Sequence, residues 1–355
     1  LMVSGVGSRT TIQDNTAGNS GGGLFMKTLA AVLVDGGGML QIVQNEAAAY
    51  GGALYLKDAG TTLALAGADT QVVIRDNVAA SRGGGLFLTG GADVLVNNSA
   101  LLVLKNNNIN KTSSKGGGFY LETGAKLMVS GIGSRATIQG NTAEYGGGFY
   151  LTDGAKVFVD GGGMLQIVQN VATTLGGAFC LIDVNTTLTL AGADTRVTIQ
   201  DNVAESGPGG GLALTSGANV LVNNSALLEL KNNTATSLYG GGAYLQDKFI
   251  RLRVSGNKTR MTVDHNIAVD SGGGFRVVLA QVFVESGAVL ELRNNTAHWG
   301  GGVSLEKGAM IMATGKLTQM MFVSNTAVAG GGAARVDCGV AGGGRPCVAG
   351  CDGRP

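Results

Sequence analysis

A single pattern recurs about every 31 residues along this chain, a spacing typical of solenoid repeats. Each unit contains a large apolar residue, two further residues, an asparagine, a short variable stretch, and then Gly-Gly-Gly or Gly-Gly-Ala. A repeat this short cannot bury a core alone, so neighbouring units must stack. The pattern predicts a solenoid with one coil per unit. The repeated asparagines are Asn15, Asn45, Asn77, Asn107, Asn141, Asn170, Asn202, Asn233, Asn266, Asn295 and Asn325.

Composition narrows the kind of solenoid and the kind of partner. The 355 residues include 62 glycines but 3 prolines, without a strict triplet period, which excludes collagen and Pro-rich disorder. Hydrophobic residues make up 44%, enough for a continuous core. The 25 Lys and Arg nearly cancel the 24 Asp and Glu, so no long-range attraction to nucleic acid is expected. No apolar run approaches the roughly 20 residues that a membrane-spanning helix needs.

The residues before each asparagine alternate between apolar and polar, as in a β-strand with one face in a core. In one unit, for example, Val197 and Ile199 are apolar and Gln200 is polar. A second short strand is predicted after the glycines and a third after a further turn. The expected fold is all-β: a right-handed parallel β-helix of about eleven coils of ~31 residues, with three short strands per coil. At ~4.8 Å per coil, the rod is roughly 50 Å long.

The asparagine and glycine columns are both predicted to be structural. Asn tolerates a left-handed bend, and its amide both donates and accepts hydrogen bonds. Asparagines one coil apart are therefore expected to form a hydrogen-bonded ladder at a buried corner. The glycines are expected to supply positive φ angles or to let backbone segments approach closely.

Longer blocks of the sequence are duplicated almost verbatim. Residues 35–45 and 160–170 are identical, and residues 1–5 recur as residues 127–131. Such duplication favours the extension of a surface over the creation of a catalytic pocket. Because the chain begins inside a repeat, we expect it to be a segment of a longer protein.

Two regions are predicted: a β-helix domain over residues 1–336 and a Cys/Gly-rich tail over residues 337–355. The tail is expected to be the start of a further segment, because three cysteines cluster there after a stretch with Cys180 alone. This clustering suggests disulfides and an oxidising compartment, with Cys338, Cys347 and Cys351 as the candidates. A zinc site is less favoured, because no histidine lies nearby.

The paired motif of an apolar residue three positions before Asn, followed by Gly-Gly-Ala or Gly-Gly-Gly, resembles the repeats of chlamydial-type polymorphic outer membrane proteins. Phe322-Val323-Ser324-Asn325 and the Gly-Gly-Ala runs at Gly51, Gly176 and Gly331 are the best matches. The resemblance extends to about residue 336, although Ile or Leu replaces Phe in most units and Gly-Gly-Gly outnumbers Gly-Gly-Ala. It implies a right-handed β-helix in a secreted or surface-displayed adhesin-like protein, associated with the outer membrane if the source is bacterial.

One column of aromatic residues is the candidate binding site. The middle residue of the strand after the glycines should point away from the core, and coil spacing would stack the rings at ~5 Å. The sequence leaves two interpretations open: a stripe that binds sugar rings or a partner surface, or rings covered by loops. The candidates are Phe25, Tyr55, Phe87, Tyr120, Tyr150 and Tyr244.

An enzyme is the alternative, because pectate-lyase-like and polygalacturonase-like enzymes share β-helix architecture. Asp14, Asp76 and Asp201 occupy equivalent positions before the asparagines, where local turns are their usual role. The two histidines, His265 and His298, lie at unlike positions in adjacent units. We therefore assign no catalytic residue, no metal and no cofactor. The expected function is a non-enzymatic extracellular or cell-surface scaffold that contacts a protein or a glycan, with polysaccharide cleavage as the alternative.

Overall fold

The computed structural model describes residues 1–110 and 112–337, and these residues form a parallel β-helix. Successive coils stack so that each strand pairs in parallel with its equivalents in the coils before and after. Four sheets of eleven strands each run along the rod. We number the sheets 1 to 4 in the order in which a coil passes through them.

The strand bounds follow the sequence repeat in every coil. Sheet 1 consists of Met2–Ser4, Ala31–Asp35, Thr62–Ala66, Asp93–Asn97, Lys126–Ser130, Lys156–Asp160, Thr187–Ala191, Asn219–Asn223, Arg251–Ser255, Gln281–Glu285 and Met310–Thr314. Sheet 2, which precedes the asparagines, consists of Arg9–Gln13, Met39–Val43, Gln71–Arg75, Leu101–Lys105, Arg135–Gln139, Met164–Val168, Arg196–Gln200, Leu227–Lys231, Arg260–Asp264, Val289–Arg293 and Gln319–Val323.

The other two sheets follow the asparagines and the glycines, respectively. Sheet 3 consists of Thr16–Ala17, Glu46–Ala47, Val78–Ala79, Asn108–Ile109, Thr142–Tyr145, Val171–Leu175, Val203–Ala204, Thr234–Ala235, Ile267–Ala268, Thr296–Trp299 and Thr326–Gly330. Sheet 4 consists of Leu24–Lys27, Leu54–Lys57, Leu86–Thr89, Phe119–Leu121, Phe149–Leu151, Phe179–Ile182, Leu212–Thr215, Ala243–Gln246, Phe275–Val278, Val303–Glu306 and Ala334–Asp337.

The prediction of three strands per coil was wrong by one, because sheet 3 was missed. Most of its strands have only two residues, as in Val78–Ala79. So short a strand shows no alternation of apolar and polar residues. The other three sheets lie where the sequence pattern places them.

The core fills the inside of the coils as one continuous hydrophobic cluster. Inward side chains of equivalent positions stack on one another along the rod. Phe119, Phe149 and Phe179 show this most clearly: their ring centroids are 5.0 and 4.4 Å apart and the rings are nearly parallel. Each coil thus buries its apolar side chains against those of its neighbours.

The predicted asparagine ladder runs along the corner between sheets 2 and 3. Asn141 donates from both its backbone N–H and its Nδ2 to Oδ1 of Asn170, at 3.0 and 2.9 Å. Asn170 makes the same two bonds to Asn202, at 2.9 and 3.0 Å. Its Nδ2 also donates to the carbonyls of Ile138 and Val168. From Asn45 to Asn295 these side chains are buried, so each amide satisfies polar groups that water does not reach.

The left-handed residue at this corner is not the asparagine, contrary to our expectation, but the residue before it. Asp14, Asp76 and Asp201 have φ angles of 56°, 58° and 55°. The same position holds His265, with a φ of 54°. These side chains therefore occupy a turn position and are separated by whole coils. Asp76 in addition pairs with Arg75 at 2.5 Å.

The glycine triplets let the chain enter sheet 4 against the next coil. The first glycine of a triplet has a positive φ, as Gly146 does at 64°. At the second, Gly147, a Cβ atom would lie 2.4 Å from the carbonyl oxygen of Val171 and 2.6 Å from that of Gly177. The third position is less restricted and holds alanine at Ala53, Ala178 and Ala333. Backbone proximity therefore explains the first two glycines.

Candidate functional site

The aromatic column on the outer side of sheet 4 forms a stack of rings that is separate from the core. Five of the six predicted residues belong to it: Tyr55 and Phe87 stack with centroids 4.8 Å apart, and Tyr120 and Tyr150 stack at 5.2 Å. Phe25 joins at 5.1 Å from Tyr55. Tyr244 lies apart from them, because Cys180 and Ala213 interrupt the column.

Of the two interpretations left open by the sequence, covered rings hold for Phe87, Tyr120, Tyr150 and Tyr244, which are buried. A second column of side chains covers the stacked aromatic rings. It is formed by the residues immediately before the glycine triplets. These residues pair from coil to coil by isolated parallel bridges, and they are Ser20, Tyr50, Arg82, Lys115 and Tyr145. Because the first glycine turns the chain sharply, the preceding side chain lies over the aromatic rings.

Cations and a carboxylate complete this cover. The guanidinium carbon of Arg82 lies 5.6 Å from the ring centroid of Tyr50 and 5.2 Å from that of Tyr120. The Lys115 ammonium lies 5.1 Å from the Tyr150 ring. The Tyr120 hydroxyl donates to Glu122 at 2.9 Å. Burial is the main cause that raises the pKa of Tyr120, and the negative charge of Glu122 raises it further.

An aromatic cleft opens at the first two coils, where Ser20 occupies the first position of the covering column. A covering residue lies over the ring of the following coil, as Lys115 does over Tyr150, so the small Ser20 leaves Tyr55 half-buried. Phe25, in the first coil, is 49% exposed. The cleft has a volume of about 440 Å³. Its lining residues are Asn19, Ser20, Phe25, Tyr50, Tyr55 and Lys57.

Lysines give this aromatic cleft a positive edge. Lys27 and Lys57 are exposed neighbours in register on sheet 4. No ion pair engages either of them among residues 1–110 and 112–337. The cleft therefore combines two ring faces with hydrogen-bond donors and unpaired positive charge, a combination that suits a polar ligand with an apolar face.

A second concave site, the polar groove, lies on the outer face of sheet 2 in the sixth to tenth coils. It has a volume of about 390 Å³. Glu229 accepts from Arg196 at 2.5 Å, and Arg293 contacts Asp264 at 3.2 Å and Glu291 at 3.6 Å. Its lining residues are Met164, Gln166, Arg196, Thr198, Gln200, Glu229, Leu230, Lys231, Thr262, Asp264 and Arg293.

The ionic contacts of the groove hold Asp264 in its charged form. Burial alone would raise the pKa of Asp264, but a hydrogen bond from Asn294 and the charges of Arg293 and His265 lower it below its usual value. His265 Nδ1 lies 2.6 Å from Asp264. An acid with a lowered pKa is a poor proton donor at neutral pH.

Sequence reasoning missed both the covering column and the polar groove. The position before the glycines and the position two residues before the asparagines each form a column when the units are aligned. In the second column, Lys231, Asp264 and Arg293 follow the neutral Gln200 and alternate in charge over successive coils. The first six coils hold no acidic residue at this position, so the alternation was the available signal.

The remaining candidates line neither the aromatic cleft nor the polar groove. Burial raises the pKa of the Cys180 thiol to about 12, and its side chain is buried beneath the aromatic group. The rings of His298 and Trp299 pack edge to face. The guanidinium carbon of Arg335 lies 4.8 Å from the ring centroid of Trp299. Cys338, Cys347 and Cys351 lie outside the described residues. Within the described residues, no group of three or more His, Cys, Asp or Glu side chains could hold a metal ion, and no helix could span a membrane.

Comparison with known proteins identifies the coil. The family model described as "Right handed beta helix region" matches residues 2–327, which confirms the predicted architecture and its handedness. No curated protein matches the sequence significantly. Among solved structures, a hyper-glycosylated TibA fragment, glycosylated by TibC, is similar at 13% identity over 88% of this chain and 100% of that fragment, with a TM-score of 0.18.

Proposed function

The chain belongs to the right-handed β-helix family, and on that basis we propose that it is a non-enzymatic scaffold at the cell surface or outside the cell, with an adhesin-like binding role. A rod of nearly repeated coils presents the same outward positions at regular spacing of ~4.8 Å. The resemblance of its repeats to those of polymorphic outer membrane proteins supports display at a surface. The ligand proposed for it is a glycan.

The aromatic cleft is the observation that carries this function. Its volume of about 440 Å³ falls within the roughly 300–1,000 Å³ typical of ligand sites. Phe25 and Tyr55 offer ring faces for the apolar face of a sugar, while Asn19, Ser20 and Lys57 supply polar groups at the rim. Tyr50, whose centroid lies 6.4 Å from that of Tyr55, forms a side wall.

Replacing Phe25 by Ser is expected to weaken glycan binding by about fivefold, because loss of one stacked ring costs about 1 kcal/mol. The fold should persist, since Phe25 is half-exposed. The measurement is binding to a glycan array, followed by titration with the best glycan.

Phe249→Ser is the matched control, because Phe249 is 60% exposed but lies at a different corner. It should leave binding unchanged, and Lys57→Ala should weaken it. Equal affinities for the unmodified chain and the Phe25→Ser variant would refute the cleft as the binding site.

Polysaccharide cleavage is the second candidate, and the polar groove is the observation that favours it. Glu229 and Glu291 lie in one column on either side of Thr262. Two coils of ~4.8 Å separate their Cα atoms by about 9.6 Å, close to the roughly 6.5–9.5 Å between the carboxyl groups of inverting glycosidases. Both side chains, however, are paired with arginines.

Incubation with pectin and other uronate polysaccharides separates the two functions. We expect no new reducing ends and no unsaturated products, because the arginines keep the groove carboxylates paired. Steady release of products by the unmodified chain, abolished in a Glu229→Gln variant but retained in a Glu46→Gln variant, would establish the enzyme instead. Glu46 is exposed and lies on sheet 3, away from the groove.

A further inference from the structure

The outer face of sheet 1 carries an apolar stripe through the first six coils. Its members pair in register at the middle of each strand. Met2 is 64% exposed and the others are partly exposed. The stripe residues are Met2, Leu33, Ala64, Leu95, Met128 and Phe158. In the seventh coil Thr189 follows, and in the ninth the exposed Arg253 pairs with Glu285 at 2.6 Å.

Charged residues stand on both sides of the apolar stripe, and Asp93 precedes Lys126 in the column at the start of the strands. Lys126 and Lys156 are neighbours at the start of their strands, and Asp160 stands at the end of the strand that begins with Lys156. Asp160 accepts a hydrogen bond from Ser130. Neither lysine takes part in an ion pair within residues 1–110 and 112–337.

Several acceptors beside the stripe lack a donor. Oδ1 of Asp35, Asp93 and Asn97 is buried and receives no hydrogen bond. Buried polar atoms without a partner are rare in folded proteins, since each costs free energy. The equivalent Oδ1 of Asn223, in the eighth coil beyond the stripe, also receives no hydrogen bond, so these enclosed atoms do not by themselves identify a partner.

We propose that the apolar stripe binds a second copy of this chain about a twofold axis parallel to the rod. Such an axis keeps equivalent coils level and reverses the strand direction across the contact. Phe158 and Met128 then face their own equivalents, and Lys156 of each copy faces Asp160 of the other. The two contacts are reciprocal, as a twofold interface requires.

The charge pattern selects a second copy over other occupants. Lys156 and Asp160 stand at opposite ends of one strand and are complementary in charge, so the face matches itself at the sixth coil. A polyanion would meet Asp160 and Asp35 on the same face, and a purely apolar partner would leave both charged edges unpaired. Beyond the stripe, Arg253 of each copy is paired with its own Glu285, so the charges that face each other there are already neutralised.

The size of the face indicates a weak dimer. Six coils at ~4.8 Å and five residues at ~3.3 Å give an area of about 29 by 16 Å, or about 900 Å² in total for both copies. That total lies at the low end for specific interfaces, where association is transient. Dimerisation at micromolar concentrations is therefore expected.

Sedimentation over about 1–100 µM protein tests the dimer, with a reductant present so that Cys338, Cys347 and Cys351 form no disulfides between chains. The unmodified chain should shift from monomer to dimer across this range. Phe158→Asp should raise the dissociation constant at least tenfold, because it places like charges opposite each other in an apolar contact. Val328→Asp, at an exposed position on sheet 3 and away from the sheet 1 face, is the matched control and should not change it.

A charge exchange tests the axis itself. Lys156→Asp and Asp160→Lys should each weaken the dimer, and the double variant should restore it, because the exchanged pair again faces opposite charges. Circular dichroism confirms that each variant is folded. A chain that stays monomeric at about 100 µM, or a Phe158→Asp variant that dimerises like the unmodified chain, would overturn the proposal. Weakening by both single changes without restoration in the double variant would overturn the parallel axis.

Discussion

Replacing Asn170 by Ala is expected to lower the free energy of unfolding by about 4 kcal/mol. The change removes the acceptor of Asn141 N–H and Nδ2, and the donor to the carbonyls of Ile138 and Val168. Each buried polar group left without a partner costs about 1–3 kcal/mol. The site is fully buried, so water cannot replace the amide. Denaturant unfolding followed by circular dichroism measures the effect.

Asn15→Ala is the matched control for the asparagine ladder. Asn15 donates to the Gln13 carbonyl and to Asn45 Oδ1, but it is exposed. Water can hydrate the groups that it leaves, so the expected loss is below about 1 kcal/mol. Similar losses for Asn15→Ala and Asn170→Ala would show that burial along the ladder does not determine its contribution.

Replacing Gly147 by Ala is expected to destabilise the coil by at least about 3 kcal/mol. The new Cβ would lie 2.4 Å from the Val171 carbonyl oxygen, and both Val171 and Gly177 approach with backbone atoms. Overpacking against side chains costs about 1–3 kcal/mol. Backbone atoms held in a paired sheet move aside less readily than a side chain, so the cost here is expected to be at the upper end or above it. Thermal and denaturant unfolding of the variant measure the loss.

Two alanine substitutions provide the comparison. At Gly18, a Cβ meets nothing within 4 Å and φ is not positive, so Gly18→Ala should be neutral or slightly stabilising. Gly148→Ala should cost less than Gly147→Ala, since the third position already holds Ala178 in the next coil. An equal cost at all three sites would contradict the assignment of the second glycine to close backbone approach.

The sequence predicted the coil because its constraints recur at every turn. The apolar residues of sheet 2, such as Val197 and Ile199, point into the core in each unit. The asparagine that follows each strand lies at the corner between sheets 2 and 3. Local pattern and tertiary stacking therefore coincide. Short strands such as Val78–Ala79 depend on pairing with the neighbouring coils and carry no pattern of their own.

The candidate site was harder to predict, because exposure depends on residues from a different part of the coil. Facing outward from sheet 4 did not make Tyr120 exposed: Arg82 and Glu122 lie beside it. The small Ser20, by contrast, leaves Tyr55 half-buried in the next coil. Which ring is accessible thus follows from the covering column, whose position over the rings is set by the glycine turn.

The spacing of equivalent positions along the rod tests the stacking of coils most directly. Spin labels at Gln13→Cys paired with Gln139→Cys, Gln200→Cys or Arg293→Cys lie in one column, four, six and nine coils apart. The native cysteines are first replaced, and Cys180→Ala is chosen because Ala213 occupies the next position in its column. Pulsed electron paramagnetic resonance should give distances near 19, 29 and 43 Å, at ~4.8 Å per coil. Distances that do not increase in proportion to the number of coils would contradict the β-helix.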